Sequence, residues 1–333
     1  MGRIKEFIRE LPANLYVGFL TFFFYPLLLL LLPSRIPERV VKFQGDLVYF
    51  FSKRQRARLF KLFREKLRPG QTDVELKELT REYFRILASF YYYGLFLAVF
   101  RRWWLHKYVT FEGLEHLEES RKEHKGVILP IFHFNQPAAT PAFLGYLGVK
   151  CACYAVHPWD LNVPFSIKVN TYLCYSGIQR EGGLKVVYLK RGARELYMRT
   201  LKKNGIFMAL LDVSLPGGGK DLKLLNFLGE QYLFPSGITK VIYETGAPVH
   251  IAHCVRDTKD WRRAKLVISP RLPMTGDADK DIQAIVSAHE AVILEHPEQW
   301  WGWIGFERGT VAFQEALRKR IEKGKAASNR PRA

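Results

Sequence analysis

The chain has 333 residues, 48% hydrophobic and 14% aromatic, and carries a formal charge of +19 with a pI near 9.8. A sizeable core is easily built at this length, in one large domain with appendages or in two small ones. The basic excess calls for an anionic partner: a nucleic acid, an anionic bilayer face or an acidic carrier protein. Cys151, Cys153, Cys174 and Cys254 are the only cysteines, and none has CxxC spacing. That excludes a metal knuckle and reads as reduced, buried thiols in a cytoplasmic domain, with no metal-ligand set.

Residues 11–34, "LPANLYVGFLTFFFYPLLLLLLPS", contain no charge. Twenty-four such residues are enough to cross a hydrocarbon layer that needs about 20. Pro26 interrupts the run, so a kinked span or a helix lying in the interface fits as well. The run is too long and aromatic for a signal peptide, and no small-residue cleavage site follows. Residues 53–68, "KRQRARLFKLFREKLR", are dense in Lys and Arg with a single acid. Basic residues beside a span remain on the cytoplasmic side. Leu59, Phe60, Leu62, Phe63 and Leu67 form an apolar stripe between those charges. This is the pattern of a basic amphipathic helix on an anionic leaflet, and also that of an ordinary helix packed on a core. A second apolar stretch, residues 83–104, holds "SFYYYGLFLAV" and then Arg101, Arg102, Trp103 and Trp104. It suits a bilayer interface or a buried helix lining an acyl groove. The first 108 residues hold 20 Lys and Arg against 9 Asp and Glu, +11 of the +19. The basic balance thus travels with the hydrophobic segments. No helix-turn-helix, zinc or RNP-like pattern accompanies it, which argues for a membrane and against nucleic acid.

From about residue 110 short β-rich runs alternate with helical segments. The strand candidates are 126–132, 151–156, 205–213, 248–255 and 264–270; the helix candidates are 185–203, 237–245 and 279–295. Apolar strands separated by helices predict an α/β fold with a mostly parallel central sheet flanked by helices, preceded by an N-terminal hydrophobic membrane-anchoring helix. The chain divides into 1–108, the anchor with basic and aromatic helices; 109–316, the α/β domain; and 317–333, a basic tail.

In such sheets, sites form where strands end. Three clusters stand there as candidates for one cleft: His133, past the first strand; Asp212, near the end of "FMALLDV"; and Arg180-Glu181-Gly182-Gly183, in a turn-like stretch. A neutral imidazole takes a proton from a hydroxyl as it attacks a thioester, and a carboxylate on its other nitrogen fixes the tautomer. A lone histidine after an apolar strand is also a common hydrogen-bonded structural residue. Arg180 fits a phosphate clamp, since a guanidinium fork matches phosphate, or a salt bridge to Glu181. "PGGGKD" (216–221) lacks the spacing of a phosphate loop and reads as a flexible loop at the cleft mouth. His157 and His253 read as packing or hydrogen-bonding residues.

The surroundings of His133, "IQREGG" (178–183), "MALLDVSLPGGG" (208–219), "NFLGEQYLFPSGITKVIYETGAPV" (226–249) and "HPEQWWGWIGFERG" (296–309) occur in one order over roughly residues 110–310. Together with the N-terminal apolar segment they resemble the late acyltransferases of lipid A biosynthesis, within the lysophospholipid acyltransferase group. The resemblance implies a membrane-bound enzyme on the cytoplasmic face of the inner membrane. Such an enzyme moves a fatty acyl chain from acyl carrier protein or coenzyme A to a lipid hydroxyl, without a cofactor. The family pattern is His, four residues, then Asp or Glu. Here His133 matches, but the acidic position is Ala138. The terminal motif keeps Arg308 and lacks its histidine. The site expected is therefore His133 as base, Asp212 or Glu181 as the replacement acid with Asp160 behind them, and Arg180, Asn135, Gln136 and Arg308 for substrate. The competing reading is a catalytically impaired member that binds lipid or acyl carrier without transfer.

Overall fold

The structure, a computed structural model, describes residues 11–12, 14–32, 34–67, 70–100, 104–161, 163–181, 183–188, 193–212 and 222–310, without the side chains of Glu181 and Arg308. Residues 216–221 and 317–333, assigned above to a loop and a tail, lie outside the described residues.

Residues 14–29 are helical, with a π-helical turn at Leu20–Phe24 followed by α-helix at Tyr25–Leu29. The chain then turns before α1 (Ile36–Phe51). The expectation of one anchoring span is therefore corrected: among the described residues, no helix is long and apolar enough to cross a membrane. Next come α2 (Lys53–Lys66) and the long α3 (Asp73–Val99). A capping box starts α3: Glu75 N–H donates to Thr72 Oγ1 and Thr72 N–H donates to Glu75 Oε2. Asp46 of α1 accepts from both Arg81 and Arg85 of α3 at 2.7–3.1 Å. The two helices touch so closely at Gly45 that a Cβ there would lie 2.4 Å from Arg85 Cα, which only glycine avoids.

The apolar stripe of α2 faces the core, not a leaflet. Leu59, Leu62 and Phe63 are buried in one cluster with Tyr83, Trp300 and Trp303, while Lys53, Arg54, Lys61 and Arg64 face outward. The same cluster joins residues on both sides of position 108, because helices of the first part cover one face of the sheet.

The α/β part contains β1 (Val109–Glu112), α4 (Leu114–Arg121), β2 (Val127–Ile131), α5 (Ala139–Tyr146), β3 (Cys151–Ala155), α6 (Phe165–Glu181), β4 (Leu184–Tyr188), α7 (Ala193–Lys202) and β5 (Ile206–Leu210). It continues with the β6–β7 hairpin (Leu222–Phe227, Glu230–Pro235), α8 (Gly237–Thr245), β8 (Ala252–Arg256), β9 (Ala264–Ile268) and α9 (Ala278–Glu295). Residues 185–188, expected in a helix, instead form β4, because Leu184, Val186 and Val187 are buried beside β3. The helix begins later, at Ala193. The stretch around Arg180 and Glu181, read as a turn, is the last turn of α6.

Four strands form an all-parallel sheet in the order β2-β5-β3-β4, and three form a mixed sheet in the order β1-β9-β8. A parallel bridge from Ile128 to Val249 links them. The expected α/β fold with a helix-flanked parallel sheet is present, divided into two linked sheets. The strand β2 is buried at every residue, which requires apolar side chains on both faces. Its Pro130 disrupts nothing: Ile128 N–H donates to Pro248 O, so even-numbered residues turn toward the linking bridge, and Pro130 lies past its end.

Candidate active site

Strand register builds the site. In the parallel pair, Ile131 of β2 lies opposite Leu210 of β5. Two residues further on, His133 and Asp212 emerge side by side at the C-terminal edge of the sheet. Parallel α/β sheets place their sites at this edge. His133 Nδ1 lies 2.7 Å from Asp212 Oδ1. The other oxygen, Oδ2, accepts the His133 backbone N–H at 2.8 Å and the Trp300 indole N–H at 2.9 Å. The carboxylate thus carries three hydrogen bonds and is 2% exposed, whereas the imidazole remains 13% exposed.

Burial pushes Asp212 up. The His133 ring, the Trp300 indole and the His133 amide outweigh it and hold the carboxyl below its ordinary range. An ionised acceptor on Nδ1 places the neutral ring's proton there and leaves the lone pair on Nε2.

The "HFN" segment is held by the "PEQWWGW" segment. Phe134 and Trp300 form an antiparallel bridge, Trp301 N–H donates to His133 O at 2.9 Å, and Asn135 N–H donates to Gln299 O at 2.6 Å. The Gln299 carboxamide in turn spans Arg256, accepting from its N–H and donating to its carbonyl. Trp301 is 39% exposed, and its ring lies 5.2 Å from that of His133. Trp300 and Trp301 received no site role from sequence reasoning. The aromatic run was visible, but a carboxylate 88 residues away in the chain gave no local signal for an indole donor.

The remaining expected residues separate. Asn135 has φ of 54°, in the left-handed region that Asn tolerates better than most side chains. Its buried carboxamide has no hydrogen-bond partner at either end. Gln136 is occupied structurally: its Nε2 donates to Phe90 O of α3 at 3.0 Å, and its Oε1 accepts from Ala138 N–H at 3.4 Å. Ala138 is 8% exposed within an apolar cluster. Asp160 is exposed in a 3-10 turn after β3. Arg180 and Glu181 do not converge with His133. They precede β4, whose first residue shares a row with Cys151, Ile206 and Val127, so they stand at the opposite edge of the sheet. Parallel strands hold their beginnings and ends at opposite edges, which rules Glu181 out as the partner that occupies Nδ1. Arg308 lies in the helical turn Phe306–Gly309, and its side chain is outside the described residues.

Other histidines serve packing. His289 is buried, stacks on Phe132 at 4.1 Å and lies 3.2 Å from Pro130 O, and burial lowers its pKa to about 3. His253 packs edge-on against Phe134 and is lowered to about 4 by burial. His157 accepts from Trp159 N–H and meets Tyr188 edge-on.

Among curated proteins none matches the chain. A family model described as bacterial lipid A biosynthesis acyltransferase matches residues 4–305, nearly the whole sequence. The chain therefore belongs to the bacterial lipid A biosynthesis acyltransferase family.

Proposed function

We propose that this family member is an O-acyltransferase that moves a fatty acyl group from a thioester donor, acyl carrier protein or coenzyme A, to a hydroxyl of a lipid at the inner leaflet, with His133 as general base. The observation that carries this reading is the 2.7 Å contact between His133 Nδ1 and the buried, three-fold hydrogen-bonded Asp212.

In this mechanism Nε2 takes the hydroxyl proton as the alcohol oxygen attacks the thioester carbonyl. Asp212 stabilises the imidazolium that forms. Collapse of the tetrahedral intermediate breaks the C–S bond, and the imidazolium returns the proton to the leaving thiolate, giving ester and free thiol. The Asn135 carboxamide, two residues from the base, has both polar atoms buried and unpaired, and would serve the intermediate's oxyanion only after turning toward the cleft. Direct transfer is favoured over a thiol acyl-enzyme. Cys153, Cys174 and Cys254 are buried, and burial pushes their thiols to about 12, far from the nucleophilic thiolate. The reading of an impaired, binding-only member rested on Ala138, and Asp212 removes that motive.

The test is acyl transfer in detergent micelles, with acyl carrier protein and coenzyme A thioesters in parallel arms and lipid acceptors of different headgroups. His133→Ala is expected to reduce turnover by at least ~10³-fold, as loss of a general base and its polarised partner requires. Undiminished transfer by that variant rejects the mechanism.

A further inference from the structure

We infer that the protein lies in the plane of one leaflet, through a largely apolar face, interspersed with cations, that runs from its first two helical segments onto α6, rather than crossing the bilayer. The inference rests on the proposed function only in taking the acceptor to be a lipid.

The first helical segment, residues 14–29, buries Val17, Leu20, Tyr25 and Leu28 against the protein. Its opposite face presents Leu15, Phe19, Phe22, Phe23 and Leu27, exposed by 49–66%. The next helix, α1, repeats the arrangement: Val41 is fully buried, while Ile36, Phe43, Leu47 and Phe50 point outward, 42–62% exposed. These spacings follow the helical period: the first segment is apolar on both sides, whereas α1 turns Glu38, Gly45 and the ion-paired Asp46 inward beside Val41 and carries the exposed Arg39 among its outer apolar residues. In water the outer side would be polar. So many large apolar side chains exposed on two neighbouring helices mark a partner. Because each helix is already packed lengthwise on the protein, neither is free to thread across a bilayer.

The face continues onto the α/β part. Trp159 stacks on Phe165 at 5.8 Å and lies 6.2 Å from Tyr172, and all three are exposed by 43–62%. This aromatic group adjoins the first helical segment: Ser166 N–H donates to Asn14 Oδ1 at 3.0 Å, and Asn170 Nδ2 donates to Thr21 Oγ1 at 3.2 Å. Exposed amphipathic aromatics at the rim of an apolar surface are the signature of a bilayer interface. The charges fit a lipid surface better than a second copy of the chain. Lys53 and Arg54 are exposed immediately after the apolar Phe50 and Phe51, and Lys168 reaches back along Trp159 to its carbonyl at 3.2 Å. Cations bordering an apolar face meet anionic headgroups favourably and repel their own copies.

The arrangement also reaches the site. The amide of Asn170 reaches Tyr91 O of α3 as well. The adjacent Phe90 stacks on Trp301 at 5.8 Å, and Trp301 borders His133. The helices of the apolar face and the base are thus linked through α3 and Trp301.

The experiment uses the full chain with vesicles of phosphatidylethanolamine, with and without phosphatidylglycerol. The triple variant Trp159→Ala, Phe165→Ala, Tyr172→Ala is expected to lose at least ~10-fold in vesicle partitioning, since interfacial aromatics act as anchors. It should retain micellar acyl transfer and its unfolding temperature. Unchanged partitioning, or an altered oligomeric state without altered partitioning, overturns the inference. Sidedness is the second readout. The four native thiols are buried, so a membrane-impermeant maleimide reports only on Gly2→Cys and Gly70→Cys variants. Labelling of both from the same side of sealed vesicles is expected; labelling from opposite sides means a span and rejects the in-plane arrangement. Lost micellar transfer in wild type would instead indict the proposed activity and leave the partitioning result standing.

Discussion

At the C-terminal edge of the four-stranded sheet, β2 and β5 lie side by side, and two residues past each stands one half of the His133–Asp212 pair. At the opposite edge, α6 delivers Arg180 and Glu181 to the start of β4, three strands across from β2. Both clusters carry an acid and a base in motifs of comparable weight in the sequence. The edge at which adjacent parallel strands end together turns such residues into a hydrogen-bonded pair. The opposite edge holds Arg180 and Glu181 at one helix terminus, apart from His133. The comparison teaches that register, not motif content, decides which charged residues can work together.

The largest expected effect attacks the paired edge directly. Asp212→Asn keeps the shape but removes the charge that fixes the His133 tautomer, and a corresponding change in a catalytic triad costs about 10⁴-fold in turnover. Steady-state transfer in micelles reads it. The pH dependence of stability supplies an independent check. The folded carboxyl is held below its ordinary value, so its contribution is complete above the unfolded pKa of about 3.9 and is lost as pH falls through the folded one. Acid unfolding of wild type should therefore steepen below about pH 4, and that component should be absent in Asp212→Asn.

A smaller loss is expected from Trp300→Phe. It deletes the indole donor to Oδ2 while retaining an aromatic ring in the core. Losing one hydrogen bond to a charged group costs about 1.5–3 kcal/mol, or about 10- to 150-fold if it all falls on the positioned base. Because the indole acts through Asp212, the loss should appear in kcat with little change in KM. A change confined to KM would mean that Trp300 only shapes the substrate channel.

Smaller again is the effect of restoring the family acid. Ala138 is buried among Phe143, Leu129 and Ile131 in an apolar cluster, and His133 Nδ1 already has a partner. Ala138→Glu is expected to leave turnover no higher than wild type and to lower stability by about 1–3 kcal/mol, the usual penalty for an uncompensated buried polar group. A gain in turnover would show that Asp212 is an incomplete substitute.

How far the sequence reveals this site depends on the range of the physical signal. The strands β2, β3 and β5 were legible because burial on both faces demands unbroken apolar runs such as "VILPI" and "IFMAL". The helix at Gly237–Thr245 was legible from its period and its terminal glycine, Gly246, at φ of 59°. Strand β4 was lost because "LKVVYLKRGARELYM" carries enough helix formers to hide a short strand, whose stability comes from β3 alongside. The pairing of His133 with Asp212 was one of several open choices, since nothing in either segment records which strands are neighbours. The choice between a span and a helix lying in the interface was open in the sequence, because length and apolarity do not record the turn after Leu29 or the packing of one helix face on the protein.

The smallest expected effect probes the opposite edge. Arg180 is exposed at the end of α6, and the strand order puts β5 and β3 between its strand and β2. An exposed guanidinium at that distance is screened by solvent, and a surface charge contributes only about 0–1 kcal/mol even to a direct partner. Arg180→Ala should therefore change micellar turnover less than about two-fold and leave the unfolding temperature within error of wild type. The measurement has force because Arg180 was the strongest phosphate-clamp candidate in the sequence. If the variant instead raised KM about ten-fold for a phosphorylated acceptor, with kcat intact, the acceptor would have to extend around the sheet to its far edge, and the distinction between the two edges would fail.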